Sequence, residues 1–309
     1  MKNMFKFKSM QMSKELNFAG DFIYESAKKT MQLENVHDDF TINGILYNGS
    51  IGIERLQKIY LYLCEEDSFE EQLKLHTHNL ITLENGVYSE SSEKLFENGI
   101  KLISMFVEYY SEYRYGNFHI EEKEKTLNNL FTSFLKTIDK KADFDSIFMP
   151  IDFERFKKFY IDTLGKVANH YYKLIRKKAC ELGIFTYELS SLSNSTRVFS
   201  LGNGKTLYDE MLLEQEAIKE LLLYFYKTHS DCNVFKAFNE LDPLEFDDYM
   251  MNDFLTLLEN GKTNHTLTDW VSENYNELDK KELKLRRAIV SAIGNPNVEF
   301  DLDEEDDTY

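Results

Sequence analysis

The chain has 309 residues and a formal net charge of −18, from 54 acidic and 36 basic side chains. This acidity argues against nonspecific coating of nucleic acid, because such affinity comes mainly from neutralised phosphates. No stretch approaches the roughly 18 apolar residues of a membrane span, and no apolar run of signal length follows the basic N-terminus. The three cysteines are odd in number and far apart, which is typical of reduced thiols (Cys64, Cys180, Cys232). The sequence therefore predicts a cytoplasmic protein with no membrane partner.

Only three prolines and thirteen glycines interrupt a chain rich in helix formers. Few breakers over such a length predict long helices, short turns and an all-α fold. Seven of the acids lie in the last eleven residues, which predicts a disordered acidic tail over residues 297–309. The remaining chain divides into a helical domain over residues 13–182 and a C-terminal helical region over residues 183–296.

Apolar residues recur at helical spacing along most of the chain. In chain order this spacing predicts helices over residues 13–33, 50–64, 91–113, 120–138, 152–182, 204–228, 233–241, 244–258, 267–275 and 280–293. Ser91 or Ser92 is the predicted N-cap of the third helix. Thr206 with Asp209 is the predicted cap of the helix over residues 204–228. Residues 40–47 read as a strand or an extended contact, and residues 187–201 as a short β-hairpin or an ordered loop.

Three short motifs lie in order between residues 49 and 119. They are Ile53-Glu54-Arg55-Leu56-Gln57-Lys58, then Thr77-His78-Asn79-Leu80, then Tyr113-Arg114-Tyr115-Gly116. Their order and spacing resemble the HEPN family of small helical domains. In that family a helix with a Glu-Lys-like core precedes a His-Asp-Leu-like segment, and another helix ends near Arg-Tyr-Pro. The resemblance implies a HEPN-like helical bundle within residues 13–182.

Many HEPN proteins are metal-independent ribonucleases with an arginine and, four to six residues later, a histidine at a dimer cleft. Arg114 and His119 fit this pattern with four residues between them. Arginine can hold a phosphate in its planar fork, and histidine can move the proton of a 2′-hydroxyl. The resemblance thus implies Arg114 and His119 as catalytic residues, with His78, Asn79 and Tyr115 in support. The structural alternative is that Arg114 anchors a helix end, while His78 and Asn79 hydrogen-bond neighbouring helix ends.

The resemblance implies a homodimeric protein that binds or cleaves RNA without a metal or cofactor, in prokaryotic or phage defence. An alternative from composition is a non-enzymatic inhibitor or scaffold that binds a protein partner through its negative surface. A third hypothesis is a nucleotide-binding regulator that uses the turn at residues 202–206. One basic cluster precedes the acidic tail and is predicted to be a solvated helix face (Lys280, Lys281, Lys284, Arg286, Arg287).

Overall fold

The computed structural model describes residues 2–33, 35–64, 77–114, 126–144, 153–183, 194–199, 201, 204–229, 241–242, 244 and 265–292. All regular structure in these residues is helical, and no strand occurs among them. The all-α prediction is confirmed. The helices are α1 (Lys2–Gln32), α2 (Asp39–Cys64), α3 (Leu80–Ser91), α4 (Glu97–Glu108), α5 (Leu127–Leu135), α6 (Phe153–Glu181), α7 (Asn194–Phe199), α8 (Leu207–His229), α9 (His265–Glu277) and α10 (Lys280–Ala292), and a π-helical turn (Tyr109–Tyr113) continues α4.

Residue contacts divide the chain into two compact units, residues 1–211 and residues 212–309. The sequence predicts a domain boundary after residue 182. That boundary concerns segments that fold independently, and it stays a prediction. The acidic tail over residues 297–309 lies outside the described residues. In the part of the chain that the structure describes, no helix is both long enough and apolar enough to cross a membrane.

Helix α2 is the centre of the first unit, because it packs against α1, α3, α4, α5 and α6. It begins after Asp38, whose carboxylate accepts a hydrogen bond of 3.0 Å from the backbone N–H of Thr41. Hydrogen bonds from Thr41 hold the pKa of Asp38 below its usual value. The helix therefore covers residues 40–47, and the strand or extended segment predicted there is wrong.

Two glycines within α2 allow neighbouring helices to pack closely against it. A Cβ atom on Gly52 would lie 2.6 Å from Cγ1 of Ile23 in α1. A Cβ atom on Gly49 would lie 2.7 Å from Cζ of Phe106 in α4. Both distances are shorter than real Cβ contacts, so α1 and α4 can approach α2 this closely only where side chains are missing.

The single helix predicted over residues 91–113 is wrong, because the chain breaks at Ser92. Ser92 adopts a left-handed conformation (φ 57°), and its backbone N–H donates to the carbonyl of Tyr88 at 2.8 Å. Ser91 and Ser92 therefore end α3 and do not cap the next helix, which begins at Glu97. Serine rarely adopts positive φ, so the sequence carried no signal for this break.

Several later helices match the prediction. Helix α6 covers residues 153–181, and Gly183 follows it with a φ of 66° as a C-cap glycine does. Thr206 and Asp209 cap α8 reciprocally, with N–H to side-chain distances of 2.9 and 3.2 Å. The predicted hairpin over residues 187–201 is wrong where it is described, since residues 194–199 form α7. Residues 120–125 and most of residues 230–264 lie outside the described residues.

The second unit has its own apolar core, built from α8, α9 and the segment near residue 244 (Leu213, Ala217, Leu221, Leu244, Leu267, Val271, Tyr275). Beside this core Glu220 is fully buried, and Arg286 of α10 donates to both of its carboxylate oxygens at 2.8 and 2.6 Å. The hydroxyl of Tyr275 donates to the same carboxylate at 2.6 Å. Arg286 is therefore an interior residue, and the solvated helix face predicted for the basic cluster is wrong at this position.

Candidate functional site

A cavity of about 510 Å³ lies in the first unit, against the middle of α2. Helices α1 and α2 supply most of its wall. His78, in the segment before α3, and Tyr110, in the π turn, complete it. Its lining combines aliphatic, aromatic and charged side chains (Met12, Glu15, Ile51, Glu54, Arg55, Lys58, Ile59, Tyr62, His78, Tyr110). Mixed linings of this kind, apolar with a few polar groups, are typical of small-molecule sites.

Glu54 joins two basic side chains at this cavity. Its Oε1 atom accepts a bond of 2.7 Å from Nζ of Lys58, one helical turn along α2, and lies 3.0 Å from Nδ1 of His78. The side chain of Glu54 is only 11% exposed, whereas that of His78 is 59% exposed. A carboxylate on Nδ1 selects the tautomer that leaves Nε2 able to accept a proton. Nε2 of His78 has no partner within the described ranges, so it can act on a ligand.

Tyr110 forms the aromatic side of the cavity. Its ring stacks on that of His78, with 5.8 Å between the centroids and 18° between the planes. The guanidinium carbon of Arg114 lies 4.6 Å from the Tyr110 centroid and 5.5 Å from that of Tyr47. Arg114 therefore lies beside the cavity, and both it and His78 contact the ring of Tyr110.

The π turn determines the positions of the Tyr110 and Arg114 side chains. The backbone N–H of Arg114 donates to the carbonyl of Tyr109 at 2.9 Å, five residues back, whereas an α-helix would use the residue four back. Such turns occur frequently at functional sites, because they change the direction of side chains within a continuous helix. No pattern in the sequence indicated this turn.

Arg55 and Glu15 line the cavity where α1 meets α2. Nη1 of Arg55 donates a short hydrogen bond to Oε2 of Glu15. The guanidinium of Arg55 also lies over the rings of Phe18 and Phe22, at 5.4 and 5.5 Å. The pair is half exposed and is held in place by this cation–π packing.

Asn79 has a structural role next to His78. Its side-chain oxygen accepts hydrogen bonds of 3.0 Å from the backbone N–H groups of Ile81 and Thr82. Asn79 is therefore the N-cap of α3, which agrees with the structural alternative given for this residue. His78, in contrast, contacts the middle of α2 and not a helix end.

A second polar network joins α2, α3 and α6 outside the cavity lining. The hydroxyl of Tyr171 donates to Glu84, and Nε2 of Gln57 donates to that hydroxyl at 2.9 Å. Burial raises the pKa of the Glu84 carboxyl, and hydrogen bonds from Tyr171 and Gln57 oppose this shift. All three side chains are buried, so this network supports the fold.

Residues of the first two quoted motifs line the cavity and Arg114 of the third lies beside it, although the three motifs are separated by up to 60 residues in sequence. Glu54, Arg55 and Lys58 come from the first motif, His78 comes from the second, and Arg114 of the third lies beside Tyr110. Tyr115 and His119 lie outside the described residues, so their predicted roles stay predictions. Sequence reasoning did not select Glu54 and Lys58, although their four-residue spacing within a quoted motif was a usable signal.

No group of three or more His, Cys, Asp or Glu side chains suited to a metal ion occurs among the residues that the structure describes. Comparisons of the chain with protein-family models, with curated proteins and with solved structures give no match. The HEPN resemblance therefore stays a prediction, and the geometry of the cavity carries the functional argument.

Proposed function

We propose that the protein binds RNA at this cavity and cleaves it without a metal ion. The observation that carries the proposal is the 3.0 Å contact between Glu54 and Nδ1 of His78 at the cavity wall. A carboxylate, an imidazole and a reacting hydroxyl in series form a common arrangement for proton transfer. Arg114, whose guanidinium lies over the ring of Tyr110, adds a group that can bind phosphate.

The proposed reaction uses the 2′-hydroxyl of the RNA as its nucleophile. Nε2 of His78 removes the hydroxyl proton while the 2′-oxygen bonds to the adjacent phosphorus. The bond from phosphorus to the 5′-oxygen breaks, and that oxygen takes a proton as the 5′-hydroxyl product leaves. The other product is a 2′,3′-cyclic phosphate. Arg114 holds the phosphate, and His119 supplies the proton to the leaving group.

The biological setting of the proposal follows from the resemblance. A homodimer in the cytoplasm, acting in prokaryotic or phage defence, would bring a second copy of Arg114 and His119 to the substrate. The competing function is a non-enzymatic one, in which the acidic chain binds a basic protein partner. The net charge of −18 favours that candidate, as does the pairing of Arg55 and Lys58 with Glu15 and Glu54.

The test is cleavage of single-stranded RNA by the purified full chain in EDTA. His78→Ala should slow cleavage by about 10²–10⁴-fold, the usual contribution of a positioned acid or base. Arg114→Ala and His119→Ala should each slow it as well. His37→Ala removes an exposed histidine that does not line the cavity and should leave the rate unchanged.

Two results would count against the proposal. Cleavage that persists in His78→Ala would exclude His78 as the proton carrier. A correctly folded wild-type protein that neither cleaves nor binds RNA would favour the acidic interaction protein.

A further inference from the structure

The size of the cavity limits what it can hold. Its volume of about 510 Å³ lies in the range of small-molecule sites. Five of its ten lining residues are aliphatic or aromatic (Met12, Ile51, Ile59, Tyr62, Tyr110). A single base with its ribose fits such a space, whereas a nucleic-acid double helix, whose major groove alone is about 12 Å wide, would not.

The charges in the cavity favour an uncharged group over a phosphate. Arg55 is paired with Glu15, and Lys58 is paired with Glu54. The two cations are therefore neutralised inside the cavity, and the carboxylates would repel an anion. Arg114 contacts the ring of Tyr110 but is not part of the lining. A nucleotide would thus place its base in the cavity and its phosphate near Arg114.

Glu15 and Arg55 provide neighbouring hydrogen-bonding groups of opposite kind. An ionised carboxylate only accepts hydrogen bonds, and a guanidinium only donates them. Guanine is the base with two adjacent N–H donors, at N1 and N2, next to the acceptors O6 and N7. Arginine recognises O6 and N7 of guanine in many complexes. Uracil offers one donor, while adenine and cytosine offer only an amino group beside an unprotonated ring nitrogen.

We infer that the cavity binds a guanine base, with Glu15 on N1–H and N2–H, Arg55 on O6, and Tyr110 as part of the aromatic wall. The inference rests on the proposed function, because it names the base that the RNA site recognises. It assigns Glu15 and Arg55 to specificity and leaves proton transfer to His78.

Binding of free nucleosides tests this inference separately from catalysis. Calorimetric titration of the full chain would use guanosine, inosine, adenosine, uridine and cytidine. Guanosine should bind most tightly, and inosine, which lacks the N2 amino group, should bind about tenfold more weakly because one hydrogen bond to a charged group is lost. Because nucleosides carry no phosphate, their affinities should change little between low and high salt.

The variant Glu15→Gln should remove the difference between guanosine and inosine, since a neutral amide cannot accept from both N–H groups. Glu97→Gln is the matched control, because Glu97 is an exposed carboxylate paired with Lys101 and does not line the cavity. Equal affinity for all five nucleosides, or no binding of any, would overturn the guanine site. If the same protein still cleaved RNA in EDTA, the proposed function would stand without this specificity.

Discussion

Glu54 in the first unit and Glu220 in the second are both held by basic side chains and lie near an aromatic ring, yet their surroundings differ. Glu220 is fully buried, and its two oxygens accept three hydrogen bonds from Arg286 and Tyr275. Glu54 borders a cavity, and its contacts with Lys58 and His78 both reach the same oxygen, Oε1. One of its partners, His78, is more than half exposed.

This difference distinguishes Glu220, a structural carboxylate, from Glu54, a carboxylate that can take part in catalysis. A buried carboxylate with every bond satisfied fixes the positions of its neighbours and offers nothing to a ligand. A carboxylate that orients an exposed imidazole leaves that imidazole available to a substrate. We therefore expect substitutions at the two sites to affect different properties, stability in the second unit and activity in the first.

The largest expected effect on stability is that of Arg286→Met. Removing this arginine leaves the charge of Glu220 buried without a partner, which costs about 3–5 kcal/mol in free energy of unfolding. The chain has a single tryptophan, Trp270, and it packs on the core of the second unit. Denaturant unfolding followed by tryptophan fluorescence therefore reports on this unit. Arg287→Met, at a half-exposed neighbour 3.4 Å from Glu216, should cost under about 1 kcal/mol.

Glu54→Gln should show the opposite pattern. The amide keeps the shape of the side chain but cannot stabilise a protonated imidazole, so RNA cleavage should fall by roughly 10²-fold. The free energy of unfolding should fall by no more than about 1 kcal/mol. Glu93→Gln, which weakens an exposed contact of 3.8 Å to Lys177 and lies outside the cavity lining, serves as the control for both measurements. A loss of stability as large as that of Arg286→Met would remove the distinction between the two sites.

Asn79→Ala should have an intermediate effect, and only on the fold. Loss of the N-cap of α3 costs about 1 kcal/mol, and Asn79→Ser should restore most of it because serine also caps helices. Thermal unfolding followed by circular dichroism would measure both variants. Equal stability of the alanine and serine variants would contradict the capping role.

The smallest effect concerns the pH dependence of stability. Burial raises the pKa of Glu84 above its unfolded value. The folded protein therefore retains a proton that the unfolded chain has lost, and this contribution to stability declines as the pH rises from the unfolded pKa towards the folded one. Glu84→Gln cannot titrate, so its free energy of unfolding should decline less than that of the wild type across this interval. Denaturant titrations at a series of pH values from 4 to 7 would compare the two slopes, and parallel curves would contradict the assignment.

The sequence was sufficient for the fold class and for helices whose apolar spacing is long and uninterrupted, such as α6. It failed where a residue had an unusual role. Residues 40–47 belong to α2 and not to a strand, and Gly49 and Gly52 are contact points between helices. Ser92 ends α3 in a conformation that serine seldom adopts. These features depend on tertiary packing, which local spacing does not record.

The candidate site could be predicted from the sequence only in part, for a similar reason. The motifs containing Glu54, His78 and Arg114 were recognisable as short patterns, and these residues lie close together in the fold. The pairing of Arg55 with Glu15 and the stacking of Tyr110 on His78 join helices that are distant in sequence. No pattern within one helix could predict such contacts. Likewise, Arg286 reads as one more charge on a basic helix until Glu220 is found opposite it.

The π turn has a consequence for the length of the chain. It holds one residue more than an α-helical turn that would join the same two ends. A related chain with one residue fewer between Tyr109 and Arg114 would form an ordinary α-helix there. Its arginine would still lie beside the tyrosine. Alignments of related sequences should therefore allow a one-residue gap in this segment, since an ungapped comparison would match Arg114 to the wrong neighbour.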